Sequence, residues 1–373
     1  MAEVMNLKND EQAVFSLRQL YRQHGYTPYK MSRFEEYDLY VQNKDFLISD
    51  QVITFSDRNG RLLALKPDVT LSIIKNAPDK AGVVEKVYYN ENVYRVDKGT
   101  HMFKEILQAG LECVGDLSGC EVAEVVLLAA KSLSLMSEEF VLDISHMGLI
   151  QAVLEESELS DSGKAMAMTC LRQKNVHELQ AVCAAEGCTE ASIKKLTGLI
   201  RCTGTPEAVL SVIKELIHTE KEAAALKELE QLCEILDGRG FGNRVRIDFS
   251  VGSDMKYYSG VVFKGYLAGL PSGILSGGQY DKLLRKMGRT SSAIGFAIYL
   301  DMLERLQKPA AAFDVDNVLL YKASDDPRQV IRTAEALRKD GSVLAATELP
   351  RDRTWRWLYR LDRGEAVLVE DNG

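Results

Sequence analysis

Apolar residues recur at helical spacing in three stretches of the chain. In Glu11 to His24 they fall every three or four residues and Gly25 follows directly, which predicts an amphipathic helix that ends there. Gly119 to Leu135 shows the same period. A longer block, from about residue 157 to 240, is rich in Ala, Leu, Glu and Lys and has little strand signal. We therefore expect a helical insertion there.

Shorter runs typical of strands lie outside these helical stretches. Val52 to Phe55 and Leu62 to Leu65 flank Asn59-Gly60, which predicts a hairpin with a tight turn. Further runs rich in β-branched, leucine and tyrosine residues are 85–96, 104–114, 244–250, 257–266 and 293–297. Because strands and helices occur in separate groups, the pattern predicts an α+β fold with an antiparallel sheet and flanking helices.

The end of the chain alternates differently. After the linker that begins at Pro309, the pattern predicts β-α-β-α-β, with strands at 317–321, 343–346 and 366–369 and helices at 327–339 and 351–359. This order indicates a small α/β unit with a parallel sheet. We expect two domains, a core at residues 1–308 and a small unit at residues 313–373.

Composition narrows the function classes. The chain has 373 residues, 46% of them hydrophobic, as in an ordinary globular protein. A net charge of -8 opposes binding to nucleic-acid phosphates. The seven cysteines form no C-x-x-C pair and the five histidines show no metal-ligand spacing, so we expect free thiols, a cytoplasmic location, and no metal or cofactor. No run is long enough to predict a membrane span, and the first residues do not resemble a signal peptide.

Polar residues at alternating positions mark a candidate ligand site on the predicted sheet. Gln108, Gly110 and Glu112 share one face because side chains repeat every two residues along a strand, and the glycine leaves room above the sheet. Arg95, on the neighbouring strand, can bind a carboxylate or phosphate with two hydrogen bonds. The alternatives are a solvated face of an edge strand for the first set and a surface ion pair for the arginine.

Three further candidates carry weaker signals. Asp68 and Thr70 stand at a predicted helix start, where helix capping alone would explain them. Tyr257 and Tyr258 begin a predicted strand, which would place one ring on each face of the sheet. The segment from Ser276 to Asp281 predicts a glycine-rich turn into a helix, which could approach a ligand closely.

Together and in this order, these segments resemble the catalytic core of class II histidine–tRNA ligases. The resemblance covers about residues 11 to 307 and rests on the motifs LKPDVT (65–70), YR (94–95), QAGLE (108–112), MKYYSGVVF (255–263), GGQYD (277–281) and AIGFA (293–297). It implies an antiparallel sheet with flanking helices, a helical insertion, and a reduced form of the anticodon-binding domain at the C-terminus.

The resemblance also implies a binding pocket for histidine. In that family, the groups that match Asp68, Thr70 and Gln108 hold the α-ammonium of the substrate. The groups that match Glu112 and Tyr257 bind its imidazole, Tyr258 lines the pocket, and Arg95 matches the residue that holds the α-carboxylate. An ammonium requires acceptors and an imidazole N–H requires one in a desolvated slot, so these residue types fit the ligand.

The positions that serve ATP in the ligases have changed. Ser253, Met302 and Met102 stand where the family has arginines, Tyr299 replaces a glycine that makes room for the nucleotide, and Ser32 replaces a proline of the first dimer motif. Charge-assisted contacts contribute about 1.5 to 3 kcal/mol each, so losing three removes about 5 to 9 kcal/mol of binding to ATP and its transition state. Adenylation is therefore not expected.

A retained histidine pocket beside lost ATP residues resembles the regulatory subunits of ATP phosphoribosyltransferase. The resemblance implies a non-catalytic subunit that is required for the first step of L-histidine biosynthesis and binds histidine for feedback inhibition. It also implies a short-form catalytic subunit as partner, a self-dimer, and no role for tRNA or membranes. Two alternatives stay open: an active histidine–tRNA ligase with unusual substitutions, and a ligase-like protein that serves another enzyme.

Overall fold

The computed structural model describes residues 9–44, 47, 52–96, 100–251, 257–305 and 313–372. The chain divides into two compact units, Met1–Leu306 and Gln307–Gly373. In the described part of the chain, no helix is both long enough and apolar enough to span a bilayer.

The first unit contains twelve strands within its described residues. They are β1 (Thr27–Pro28), β2 (Phe34–Glu36), β3 (Thr54–Ser56), β4 (Leu62–Leu65), β5 (Val84–Val96), β6 (Phe103–Gly115), β7 (Phe140–His146), β8 (Thr203–Gly204), β9 (Val245–Asp248), β10 (Val261–Leu267), β11 (Leu275–Gln279) and β12 (Ser292–Tyr299).

Eleven α-helices accompany these strands over the same described residues. They are α1 (Asn9–Gln23), α2 (Tyr37–Gln42), α3 (Thr70–Asn76), α4 (Gly119–Met136), α5 (Met147–Glu156), α6 (Asp161–Gln173), α7 (Val176–Ala185), α8 (Glu190–Arg201), α9 (Pro206–Leu216), α10 (Glu220–Asp237) and α11 (Asp281–Lys286).

A nine-stranded sheet forms the centre of the first unit. Its strand order is β1-β5-β6-β12-β11-β10-β7-β9-β8. Only β1–β5 and β7–β9 are parallel, and every other neighbouring pair is antiparallel. The predicted α+β class with an antiparallel sheet is confirmed. Strands β5 and β6 pair over their full thirteen residues, from Val84↔Gly115 to Val96↔Phe103.

Helices α1 and α4 pack against one face of this sheet. Val125, Leu128, Ala129 and Leu133 of α4 are fully buried in the largest apolar cluster, with Leu17 of α1. At the start of α4, Ser118 and Glu121 exchange hydrogen bonds in a capping box, which satisfies backbone N–H groups that a helix start leaves open. Apolar burial on this face leaves the polar residues of β5, β6 and β12 on the other.

The smaller elements of the first unit agree with the predicted pattern. Strands β3 and β4 form the predicted hairpin, in which Oδ1 of Asp57 accepts from the N–H groups of Asn59 and Arg61 at 2.8 Å each. Strand β2 joins them in a separate three-stranded sheet. Helices α6 to α10 occupy residues 161–237, where the sequence predicts a helical block.

Two local predictions in the first unit were wrong. Strand β10 begins at Val261, so Tyr257 and Tyr258 precede the strand instead of pointing to its two faces. Gly277 and Gly278 belong to β11 and pair with Phe296 and Gly295 of β12, so they form a strand and not a turn. Glycine is required at position 278, because a Cβ there would collide with the ring of Tyr258.

The second unit is a four-stranded sheet with one helix. Its elements are β13 (Val315–Leu320), α12 (Pro327–Leu337), β14 (Val343–Ala346), β15 (Trp355–Asp362) and β16 (Glu365–Asp371), and the strand order is β14-β13-β15-β16. Strand β13 is parallel to β14 and β15, whereas β15 and β16 are antiparallel. The helix predicted at 351–359 was wrong, because the alternating aromatic residues of β15 pair as a strand.

Candidate ligand-binding site

A cavity of about 220 Å³ lies on the polar face of the central sheet. All seven predicted site residues line it: Asp68, Thr70, Arg95, Gln108, Glu112, Tyr257 and Tyr258. Four residues that the sequence did not predict as site residues line it too: Tyr89, Tyr280, Gly295 and Tyr299. The cavity is smaller than the roughly 300–1,000 Å³ of sites for drug-sized ligands, so its size suits a ligand such as an amino acid.

Strand pairing builds the floor of the cavity. Gln108 and Glu112 on β6 stand opposite Tyr299 and Gly295 on β12. A Cβ at position 295 would collide with Oε2 of Glu112 and lie 2.5 Å from the carbonyl oxygen of Leu111. Gly295 therefore provides the space in which the Glu112 carboxyl group lies.

Glu112 is the central polar group of the cavity and is only 2% exposed. Its Oε1 accepts a hydrogen bond from Oγ1 of Thr70 at 2.7 Å, and its Oε2 accepts one from the hydroxyl group of Tyr280. Burial raises the pKa of Glu112 to about 8, although both hydrogen bonds favour the ionised form and oppose this shift. A ligand that donates a hydrogen bond or carries positive charge would favour ionisation.

Asp68 and Arg95 lie at the side of the cavity formed by the start of α3. Oδ1 of Asp68 accepts from the N–H of Leu71 at 3.0 Å, so the residue also caps the helix, as the alternative interpretation held. Burial raises the pKa of Asp68, and the charge of Arg95 opposes that effect. Arg95 is 8% exposed and its Nε donates to the carbonyl oxygen of Pro67 at 2.9 Å, which excludes a surface ion pair.

Gln108 contributes an amide group that is ready for a ligand. Its side chain is 2% exposed, and its Nε2 has no hydrogen-bond partner among the residues that the structure describes. Leaving a buried polar group unpaired costs roughly 1–3 kcal/mol, so such groups in native proteins call for an explanation. A ligand atom that accepts a hydrogen bond, such as a carboxylate oxygen, would satisfy this donor, and the amide oxygen of Gln108 can accept a hydrogen bond at the same time.

Tyrosines form the remaining wall. The rings of Tyr257 and Tyr258 meet edge to face at 4.6 Å between centroids, and Tyr257 lies 5.7 Å from Tyr280. The space above Gly110, which was expected to admit a ligand, is occupied by Tyr89. A Cβ at position 110 would lie 2.5 Å from the Tyr89 hydroxyl oxygen. Strand β5 pairs with β6 so that Tyr89 stands opposite Gly110, and knowledge of this register would have predicted the contact.

The positions that depart from the ligase pattern lie in different surroundings. Tyr299 lines the cavity, Met302 packs on the main apolar cluster, and Met102 is 66% exposed. Ser32 is exposed and accepts from the N–H of Phe34 at 3.3 Å. Ser253 lies outside the described residues. Over the residues that are described, no cluster of three or more His, Cys, Asp or Glu side chains is arranged to hold a metal ion.

The antiparallel sheet and the polar cavity on one of its faces define the class as a class II synthetase-type protein. The family model for histidyl-tRNA synthetase matches residues 4–303. A relative from Halothermothrix orenii, an ATP phosphoribosyltransferase regulatory subunit, is 30% identical over 85% of this chain and 78% of its own length. The chain therefore belongs to the histidyl-tRNA synthetase family and, within it, to the group of ATP phosphoribosyltransferase regulatory subunits.

Other relatives and solved structures agree. The ATP phosphoribosyltransferase regulatory subunit of Alkaliphilus metalliredigens is 26% identical over 93% of this chain and 89% of its own length. A crystal structure from Bacillus halodurans, of an ATP phosphoribosyltransferase regulatory subunit/histidyl-tRNA synthetase, has a TM-score of 0.74 at 25% identity and covers 90% of this chain and 88% of that one. A chain of the ATP phosphoribosyl transferase (HisG:HisZ) complex from Thermotoga maritima shares the fold, with a TM-score of 0.62 at 20% identity over 78% and 97%.

Proposed function

We propose that this chain is the non-catalytic regulatory subunit of an ATP phosphoribosyltransferase and that L-histidine binds in the cavity as its feedback inhibitor. The chain would be required for the first step of L-histidine biosynthesis, with catalysis in a separate short-form subunit. The observation that carries the proposal is the buried Glu112, held by Thr70 and Tyr280 in a cavity of amino-acid size. The names of the relatives support the regulatory role.

The groups around the cavity complement each part of histidine. The carboxylate of Asp68, with the oxygens of Thr70 and Gln108, provides acceptors for the α-ammonium. Arg95 offers its guanidinium to the α-carboxylate, a pairing that can form two parallel hydrogen bonds. Glu112 and Tyr257 would bind the imidazole, whose N–H requires an acceptor in a site that excludes water. Tyr258 would form the wall beside the ring.

The nucleotide side of the cavity does not favour adenylation. Tyr299 lines the cavity where the ligases have a glycine that makes room for the nucleotide, and Met302 packs on the apolar core where the ligases have an arginine. Phosphate groups are bound by positive charge or N–H donors. Methionine has neither, and tyrosine offers only one uncharged hydroxyl group. These substitutions support a chain that binds the amino acid without activating it.

The partner proposal rests on the comparison with the Thermotoga maritima assembly. That structure is a complex of the two subunits, and a chain of it shares the fold of this one. We propose that this chain likewise pairs with a short-form catalytic subunit and also with a second copy of itself, and that it does not act on tRNA. Feedback inhibition then requires a coupling free energy of about 1 to 3 kcal/mol between histidine and the active assembly.

Two measurements on the full-length chain test this function. Isothermal titration should show saturable histidine binding, and histidine-dependent exchange between ATP and pyrophosphate should be absent. Binding without exchange supports the regulatory subunit. No histidine binding, either to the chain alone or to its complex with the catalytic subunit, would rule out the sensor role.

The second candidate is an active histidine–tRNA ligase, which the match to the histidyl-tRNA synthetase family model favours. It predicts the opposite result in the same exchange assay. Exchange that depends on histidine and scales with the concentration of this chain would establish it. The roles assigned above to Tyr299 and Met302 would then be wrong.

A further inference from the structure

The end of helix α7 brings two cysteines together. The N–H of Cys188 donates to the carbonyl oxygen of Cys183 at 2.9 Å, and the N–H of Gly187 donates to that of Ala184 at 3.3 Å. Gly187 has φ +74°, the left-handed conformation that glycine adopts at low cost. These two bonds and this conformation define a Schellman motif. In this motif the residues at the positions of Cys183 and Cys188 normally make an apolar contact.

Two other helices of the chain end with an apolar pair at these positions. At the end of α1 the equivalent pair is Tyr21 and Tyr26, and at the end of α10 it is Leu236 and Phe241, each joined by the same backbone hydrogen bond, at 3.1 and 2.9 Å. At the end of α7 both positions are cysteines, and the Cys188 thiol lies close enough to raise the pKa of the Cys183 thiol. The backbone bond keeps their Cα atoms within about 7 Å, the separation a disulfide allows.

The two thiols differ in their surroundings. Cys183 is fully buried, whereas Cys188 is only partly buried. Burial and the neighbouring Cys188 raise the pKa of the Cys183 thiol to about 12. Cys170, also fully buried, lies near Cys183 on α6. The accessible thiol is therefore the first to react, and the buried one is positioned to react second.

We propose that Cys183 and Cys188 form a dithiol modification site, which a low-molecular-weight disulfide such as oxidised glutathione converts to an intramolecular disulfide. The Cys188 thiolate attacks one sulfur of the oxidant, forms a mixed disulfide and releases one thiol. The Cys183 thiolate then attacks the Cys188 sulfur, forms the protein disulfide and releases the second thiol. One oxidant disulfide is reduced to two thiols, and the two protein thiols lose two protons and two electrons.

The competing explanation is that both cysteines only fill space, since cysteine behaves as a small apolar residue in cores. The reaction with oxidised glutathione separates the two explanations. A dithiol site forms a bond between Cys183 and Cys188, whereas a pair that only packs does not form this bond in preference to a glutathione adduct.

Glu186 lies between the two cysteines in the sequence. Cleavage after Glu186 therefore leaves the two pieces joined only if a disulfide is present.

The test treats the native full-length chain with oxidised glutathione and then counts free thiols after denaturation. The proposal predicts a fall from seven thiols to four, because the Cys183–Cys188 disulfide consumes two and the glutathione adduct on the exposed Cys120 consumes a third. Digestion with trypsin and a glutamate-specific protease should give a linked pair of peptides containing Cys183 and Cys188. Yield should rise with pH, because the second step requires the Cys183 thiolate.

Matched variants complete the test. Cys188→Ser should abolish the disulfide and Cys170→Ser should leave its yield unchanged, while the exposed Cys120 should form mixed disulfides only. If Cys188→Ser does not fold, the linked peptides of the unmodified chain still decide the question. A stable glutathione adduct on Cys188, a bond between Cys183 and Cys170, or seven unreacted thiols would each overturn the proposal.

Discussion

Two parts of the cavity follow opposite chemistry: the inner part, which is the surroundings of Glu112, and the outer end, which is the position of Tyr299. The inner part buries the Glu112 carboxyl group with its donors Thr70 and Tyr280, and the desolvation of these polar groups costs free energy. At the outer end, Tyr299 lines the cavity, and Met302, three residues further on, packs on the core. Under the proposed function, the fold keeps amino-acid recognition and abandons nucleotide chemistry, because separate residues carry the two.

The register of β6 and β12 explains how the two parts remain independent. Glu112 stands opposite Gly295, whereas Gln108, four residues away, stands opposite Tyr299. Residues four apart along a strand share a face but lie about 13 Å from each other, at a rise of about 3.3 Å per residue. Changes at the outer position can therefore accumulate without disturbing the inner one, and mutations can test each part by itself.

The largest expected effect comes from removing the inner carboxylate. Glu112→Ala should weaken histidine binding by about a hundredfold or more, because it removes a charge-assisted contact and leaves Thr70 and Tyr280 without their acceptor. Calorimetric titration measures this, with Met102→Ala, at an exposed position outside the cavity, as control. In the assembly, histidine inhibition should disappear while activation of the catalytic subunit persists. Loss of both would mean that Glu112 is structural.

The second effect concerns stability and has a definite sign. The folded chain holds the Glu112 proton up to a pKa of about 8, whereas an unfolded glutamate releases it near 4.3. Between these values the unfolded state binds fewer protons, so stability falls as pH rises. Relative to Glu112→Gln, the unmodified chain should lose on the order of 1 kcal/mol per pH unit between pH 6 and 8. Urea unfolding measures this, and parallel curves for both chains would contradict a protonated Glu112.

A smaller effect is expected from the second support of that carboxylate. Tyr280→Phe removes one hydroxyl donor to Oε2 of Glu112 and keeps the aromatic ring. Losing one hydrogen bond to a charged group should weaken histidine binding by about ten- to a hundredfold, less than Glu112→Ala does. Tyr258→Phe is the matched control, since its hydroxyl does not contact Glu112. Equal losses in both variants would show that the hydroxyl of Tyr280 has no special role.

The smallest effect belongs to the outer end. Met302→Arg restores the residue type of the ligases but should change histidine affinity by less than about twofold, and it should not start ATP–pyrophosphate exchange. The reason is that Met302 packs on the apolar cluster and Tyr299 still lines the cavity at the outer end. The exchange assay checks this result. Activity gained by this single change would show that the two parts of the cavity are not independent.

The sequence predicted those features that follow from local periodicity. The alternation of Gln108 and Glu112 correctly placed both on one face, and the hairpin followed from Asn59-Gly60. Tyr89 was missed because its contact with the space above Gly110 depends on how two strands pair. Tyr280 was named only as part of a turn, and its hydrogen bond to a residue 168 positions away is a property of the fold.

The errors have the same origin. Residues 351–359 can form a helix by spacing, but their pairing with β13 and β16 decides for a strand. Tyr257 and Tyr258 were assigned to a strand, although β10 begins at Val261. Strand pairing can therefore override both the class and the limits that a local pattern predicts, and the limits decide where a side chain points.

The most direct test of the central claim is an activity assay of the short-form catalytic subunit with and without this chain, over a series of histidine concentrations. The account predicts that the catalytic subunit is more active with the chain, that histidine reduces this activity, and that Glu112→Ala removes the reduction. A catalytic subunit whose activity is unchanged by the chain at every histidine concentration would contradict the account.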